Sequence, residues 1–171
     1  FIIMNVTKSP GVISPALIIG AVAERMQTEV CSLYIFDAKK NRLTLCATMG
    51  LDPESVGRVS MGPGEGLTGL VIEQMKPVMV VDALAHKRYK YFPETHEEHF
   101  HSFLGVPLFQ KKTPLGVLVV QTAEARTFGD EAQVARGLDQ AAQARARHRL
   151  VVDDHRLDHA RASIAPIARA G

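Results

Sequence analysis

Two pairs of strand-forming runs, each folded back through a short polar turn, constrain this chain more than any other feature of it. VCSLYIFD over Val30–Asp37 is followed by AKKN and then by RLTLCATM over Arg42–Met49. The second run alternates in period two, so Leu43, Leu45, Ala47 and Met49 are expected to face one way. FLGVPLF over Phe103–Phe109 and LGVLVVQ over Leu115–Gln121 repeat the arrangement around a turn of Lys111, Lys112, Thr113 and Pro114. Two hairpins of this kind commit the chain to antiparallel pairing. Pro107, which has no N–H to give a ladder, implies an edge position or a bulge in its strand.

Helical signals surround the hairpins. Ser14-Pro15 is an N-cap residue followed by proline at the first helical position. Val12, Ala16, Ile19, Val22, Ala23 and Met26 then recur at helical spacing, which predicts a helix from about Pro15 to Gln27. GPGEG over Gly62–Gly66 breaks the chain before Leu67, Leu70, Val71 and Met75 mark a second helix, stopped by Pro77. Val134, Leu138, Ala141 and Ala142 carry a third helical pattern. Gly57–Met61 reads as a short edge strand and Val78–Val81 as a short buried one. Between Asp82 and Phe100 runs a polar connection far longer than the usual four to six residues, and such connections are often binding loops. The order predicts an α+β fold: an antiparallel sheet of five to six strands, helices packed on one face, and a long ligand-side loop.

Composition narrows the class. Of 171 residues, 46% are hydrophobic and 22% charged, which suits one domain able to bury a core without staples. Twenty basic against eighteen acidic residues leave a net charge of +2, too little to predict a nucleic-acid or membrane partner. No apolar run approaches the roughly 18 residues of a membrane span. The opening FIIM is too short for a signal-peptide core, so a cytoplasmic chain is expected, and Phe1 in place of Met reads as a fragment of something longer. Cys31 and Cys46, set among aliphatic residues, read as reduced core thiols.

The text changes character near its end. All eight lysines lie at or before Lys112, whereas the eight basic residues after Ala125 are all arginine. The expected organisation is therefore an extension over 1–13, a domain over 14–145, and an atypical Arg/Ala/His/Asp-rich tail over 146–171. A divergent natural tail has this composition, and so does an out-of-frame reading of GC-rich DNA.

Several groups bear on chemistry. Gly62, Gly64, Gly66 and Gly69 precede or open the second helix, and they read either as a tight strand-to-helix connection or as a ligand-touching one. No Gly-Lys-Ser/Thr follows, which argues against nucleotide triphosphate. His96, His99 and His101 stand beside Glu94, Glu97 and Glu98, but their spacing is not that of a zinc site, and no metal or cofactor is assigned. Lys87, Arg88 and Lys90 interleave with Tyr89, Tyr91 and Phe92; one short cluster is a better lid over a pocket than a nucleic-acid surface. No nucleophile elbow, H-E-x-x-H or Cys/His pair emerges, so no catalytic residue is named.

Residues 14–142 resemble a GAF domain, a small-molecule-sensing relative of the PAS fold. The likeness rests on VCSLYIFD at 30–37, GEGLTG at 64–69, FLGVPL at 103–108 and LGVLVV at 115–120. AHKRYKYFPET at 85–95 followed by FHSFLGVP at 100–107 is similar to one branch, the N-terminal GAF modules of nitrogen-related phosphoenolpyruvate-protein phosphotransferases. The resemblance implies a regulatory module without its own catalysis, ahead of an enzyme I catalytic region that is served by a phosphocarrier protein. It also implies a homodimer formed through terminal helices, to which Ile13, Leu17, Ile18 and Ala21 would contribute.

A pocket is expected between the sheet, the helix opened by Gly64 and Gly66, and the long loop. Thr68, Asp82, Tyr89, His101 and Ser102 would supply its polar groups, His101 and Ser102 by resemblance. A helix N-terminus suits a carboxylate and Asp82 suits an ammonium, which together describe a small zwitterion. The resemblance makes that ligand glutamine. The alternative is a GAF dimerisation or signalling domain of another regulator, binding a cyclic nucleotide or nothing.

Overall fold

The computed structural model describes residues 14–110 and 112–129. Helix α1 (Pro15–Met26) opens on Ser14 and Pro15 as the capping pattern predicts, and it ends where Gln27 turns left-handed at φ 51°. The Thr28 amide then donates back to the Ala23 carbonyl at 3.1 Å, closing the last turn. Ile19, Val22 and Ala23 form its buried stripe, while Leu17 is 67% exposed. Strands β1 (Val30–Asp37) and β2 (Arg42–Met49) follow as a hairpin. Its turn is held by the Asp37 carboxylate, which accepts from the Lys39 and Lys40 amides at 3.0 and 3.1 Å.

The two-residue strand β3 (Ser60–Met61) precedes helix α2 (Gly66–Gln74), and β4 (Val78–Val80) follows it. The long loop, with one short 3₁₀ turn at Pro93–Thr95, leads to the second hairpin, β5 (Ser102–Gln110) and β6 (Thr113–Thr122). All six strands join one antiparallel sheet in the order β3-β2-β1-β6-β5-β4. The α+β class and the six-stranded antiparallel sheet stand as read from the sequence.

The expectation that the helices share one face is corrected. Helix α1 packs with Cys31, Leu33, Ala47, Leu118 and Val120 on one side of the sheet. Leu67, Val71 and Ile72 of α2 pack with Tyr34, Leu43, Leu45, Val117 and Val119 on the other. The physical reason lies in the central strands: in β1 and β6 consecutive residues are apolar, so alternation sends oily side chains to both faces and both need cover.

The expected alignment of Leu43, Leu45, Ala47 and Met49 is also corrected. Leu33 pairs with Ala47 while Tyr34 pairs with Leu45, so Cys46 is an extra residue in a β-bulge. The bulge moves Ala47 to the α1 face while Leu43 and Leu45 stay on the α2 face.

β4 is less buried than expected. It is the last strand of the sheet, paired only with β5, and Met79 is 44% exposed. Its pairing reaches only Gly105, so Pro107 sits where β5 has become an edge, one of the two readings its ring allowed. Cys31 is buried, Cys46 partly so, and both are free thiols; burial pushes the Cys31 thiol up to about 12, which leaves it inert at neutral pH. The expected third helix, the 1–13 extension, the boundary at 145 and the tail lie outside the described residues, as does Ile13. Among the described residues no helix is long and apolar enough to cross a membrane.

Candidate functional site

On the α2 face the long loop folds back over the sheet and covers a small, partly open cavity. Tyr34 of β1, Phe103 of β5 and Gln121 of β6 form its floor, and Met61 of β3 closes one wall. Leu67 and Thr68, in the first turn of α2, form another. The roof comes from the loop, which contributes Ala83, Tyr89, Lys90, Phe92 and Glu97. The space is about 20 Å³, room for roughly one water molecule.

The glycine turn is built by conformation and by a carboxylate. Gly64 and Gly66 have φ of +76° and +66°, values that side-chain-bearing residues rarely adopt. Glu65 folds back so that its Oε2 accepts from the Gly62 amide at 2.8 Å, and the Gly64 amide donates to the Gly69 carbonyl at 2.8 Å. These amides are therefore occupied within the turn. A Cβ on Gly69 would meet the Gly62 carbonyl oxygen, so that glycine serves close backbone approach.

Two cation pairs fasten the roof to this turn. Arg88 donates through Nη2 to the Gly64 carbonyl at 2.5 Å and to Glu73 Oε2 at 3.1 Å. Lys90 Nζ pairs with Glu65 Oε1 while lying 5.3 Å over the Phe92 ring. The Lys90 ammonium, together with the Gly62 amide, holds the Glu65 carboxyl below its usual range. All four side chains are substantially exposed, and such pairs contribute about 0–1 kcal/mol each. The apolar contacts of Tyr89 and Phe92 with the core therefore carry more of the closure than the ion pairs do.

Inside the cavity the polar groups converge. Gln121, 4% exposed, donates from Nε2 to Glu97 Oε2 at 3.4 Å, a long hydrogen bond. Burial pushes the Glu97 carboxyl up to about 7, with the Gln121 and Phe92 hydrogen bonds offsetting part of the effect. Tyr34 is raised by burial and by the nearby Glu97, and Tyr89 is pushed up to about 12 by the same two causes. The Tyr89 hydroxyl is buried and has no hydrogen-bond partner among the described residues.

Of the residues singled out in the sequence, Thr68 and Tyr89 line this cavity. Gly64 and Gly66 shape the turn beside it. Asp82 and His101 stand outside, facing each other at 3.3 Å between Nδ1 and Oδ1 at a largely exposed position. The Ser102 hydroxyl is buried against that of Thr122 and is satisfied there. Glu97, Gln121 and Tyr34 escaped the sequence reading. The polar Gln121 ending an apolar strand was the available signal for one of them; Glu97, lost among acidic neighbours, had none. His96 pairs with Asp52 and His99 with Glu98, so the histidines diverge, and among the described residues no group of three metal-binding side chains gathers.

Known proteins share this architecture. A family model described as GAF domain matches residues 16–145. The GAF domain of a phosphoenolpyruvate-protein phosphotransferase from Coxiella burnetii is 34% identical, covering 88% of this chain and 87% of that one, with a TM-score of 0.67. Its counterpart from Acinetobacter is 33% identical with the same coverages and a TM-score of 0.64. A protein of the phosphoenolpyruvate-dependent phosphotransferase system of Escherichia coli K12 is 40% identical over 87 residues, which are 51% of this chain and 12% of that protein. The stretch that this chain matches in the two solved phosphotransferase structures is their GAF domain and not a catalytic part. The chain belongs to the GAF domain family and is similar to the GAF domains of phosphoenolpyruvate-protein phosphotransferases.

Proposed function

We propose that this segment is a regulatory module that senses a small molecule and adjusts phosphotransfer by an enzyme I catalytic region to nitrogen status. The observation that carries the reading is the small cavity under the long loop, where a carboxyl, a carboxamide and two phenols converge between apolar walls. Glutamine is the proposed ligand. Its size exceeds the closed cavity, so it enters with the 82–101 loop displaced, and the weak fastenings at Arg88 and Lys90 suit such a motion. The full protein is read as cytoplasmic and homodimeric, with the exposed Leu17 and Ala21 of α1 available to a second copy and a phosphocarrier docking on the catalytic region.

Calorimetry on the chain with glutamine, 2-oxoglutarate, cyclic AMP and cyclic GMP tests this. Heat from glutamine at millimolar concentration or below is expected. A cyclic nucleotide binding where glutamine gives neither heat nor thermal shift overturns the amino-acid reading in favour of a cyclic-nucleotide regulator.

A further inference from the structure

We propose that Glu97 is the group that selects the ligand, by receiving an ammonium group at the cavity under the long loop. The proposal rests on the reading of that cavity as the ligand site. The carboxyl is held in the roof, close to Gln121 of β6, and lines the space directly. Among the described residues no lysine, arginine or histidine nitrogen forms an ion pair with it. Among the described residues the one cationic side chain lining the cavity is Lys90, and its ammonium is engaged outward by Glu65. A partly buried carboxylate without a counter-ion is unfavourable, and a cation placed beside it lowers that cost.

The neighbouring groups reinforce the preference for positive charge. The adjacent Glu98 carboxylate, a like charge, raises Glu97 further, whereas Tyr34 and Tyr89, both pushed up, stay neutral and offer hydroxyls only. The facing residues of α2, β5 and β6 that line the cavity, Leu67, Thr68, Phe103 and Gln121, carry no charge. The orphaned Tyr89 hydroxyl adds one donor for an acceptor atom on the same ligand. Room for about one water also fits one ammonium head. Its source is either the free ammonium ion or the α-ammonium of an amino acid.

Binding then draws the proton off Glu97. The carboxyl lies near 7 without ligand, so affinity for an ammonium-bearing ligand should rise about tenfold from pH 6 to pH 8. Glutamine, ammonium chloride and 2-oxoglutarate are titrated by calorimetry into the full chain and its Glu97→Gln variant, with circular dichroism verifying the fold. In parallel, the Glu97 carboxyl carbon of the wild-type chain is followed by NMR across pH, with and without each probe. The variant should lose about ten- to a hundredfold in affinity and its pH dependence should flatten. In the wild type, the carboxyl should titrate at lower pH once ligand is present. A shift produced by ammonium chloride alone identifies the free ion, and one produced only by glutamine identifies the amino acid.

Glutamine binding equally to wild type and Glu97→Gln with the same pH profile overturns the proposal and leaves the cavity reading standing. So does 2-oxoglutarate binding where neither ammonium-bearing probe does. Failure of every probe to give heat or to move any cavity resonance overturns both.

Discussion

The two faces of the sheet are built from the same strands and differ in what they leave unsettled. On the α1 side Ile19, Val22, Leu33, Leu104, Leu118 and Val120 are buried against one another, and Phe128 closes the end. On the α2 side an equally apolar wall includes Tyr34, Tyr89 and Phe92, and into it are set a partly buried carboxyl and a buried carboxamide. Polar burial of this kind stabilises little, because desolvation offsets much of what the contacts return. The first face holds the fold together. On the proposed reading, the second gives up some stability to keep groups that a ligand can satisfy.

The largest expected effect comes from the dry face. Leu118 is 1% exposed and packs in the α1 core, so Leu118→Ala should cost about 2–5 kcal/mol in urea unfolding. Glutamine affinity of the folded fraction should not change, because the side chain points away from the cavity. Loss of affinity in a protein that still unfolds cooperatively would break the division between the faces.

A smaller effect, of opposite sign, is expected from Glu97→Gln. The folded carboxyl titrates near 7, above the roughly 4.3 of an unfolded glutamate. Protons are therefore bound more tightly by the folded state. That contribution to stability is fully present below about pH 4.3 and is lost as pH rises through 7. Glutamine at position 97 keeps the neutral shape at every pH. The variant should match wild type near pH 4 and exceed it by about 1–3 kcal/mol at pH 8. Urea midpoints measured across this window check it, and parallel curves for the two proteins would show that the carboxyl is not strained by burial.

This division was only partly legible in the sequence. Hairpins and helix ends could be read because they depend on neighbours: Ser14-Pro15 at a cap, Gly64 and Gly66 at positive φ, Pro77 as a stop. The bulge at Cys46 could not, since nothing in RLTLCATM distinguishes an extra residue from an unbroken alternation. Placing both helices on one face failed for a related reason. The continuous apolar runs of β1 and β6 signal two buried faces, but they do not say which helix covers which. Within the site, Thr68 and Tyr89 fell near the cavity because they flank a glycine turn and an aromatic cluster. Glu97 lies in a run of acidic and histidine residues, and its burial is set by where the 3₁₀ turn at Pro93–Thr95 returns the chain. Tertiary placement, invisible in composition, decides which of several like charges enters.

The smallest effect concerns the fastening of the roof. Arg88–Glu73 and Lys90–Glu65 lie at the surface, so each should contribute no more than about 1 kcal/mol to holding the loop down. Replacing both cations, as Arg88→Gln with Lys90→Gln, should barely move the global unfolding midpoint. It should instead shift the local opening equilibrium of the loop, which amide hydrogen exchange reports separately from global unfolding. The Thr95 amide, bonded to the Phe92 carbonyl at 2.9 Å, should exchange several-fold faster, since about 1 kcal/mol is roughly a fivefold change in an equilibrium. Amides of β1 and β6 in the sheet centre should keep their protection. Salt near 1 M, which shortens the screening length to about 3 Å, should speed Thr95 exchange in wild type and leave the double variant unchanged. Equal acceleration of loop and sheet amides would show that the two faces open together, and the contrast between a fixed face and a yielding one would then be wrong.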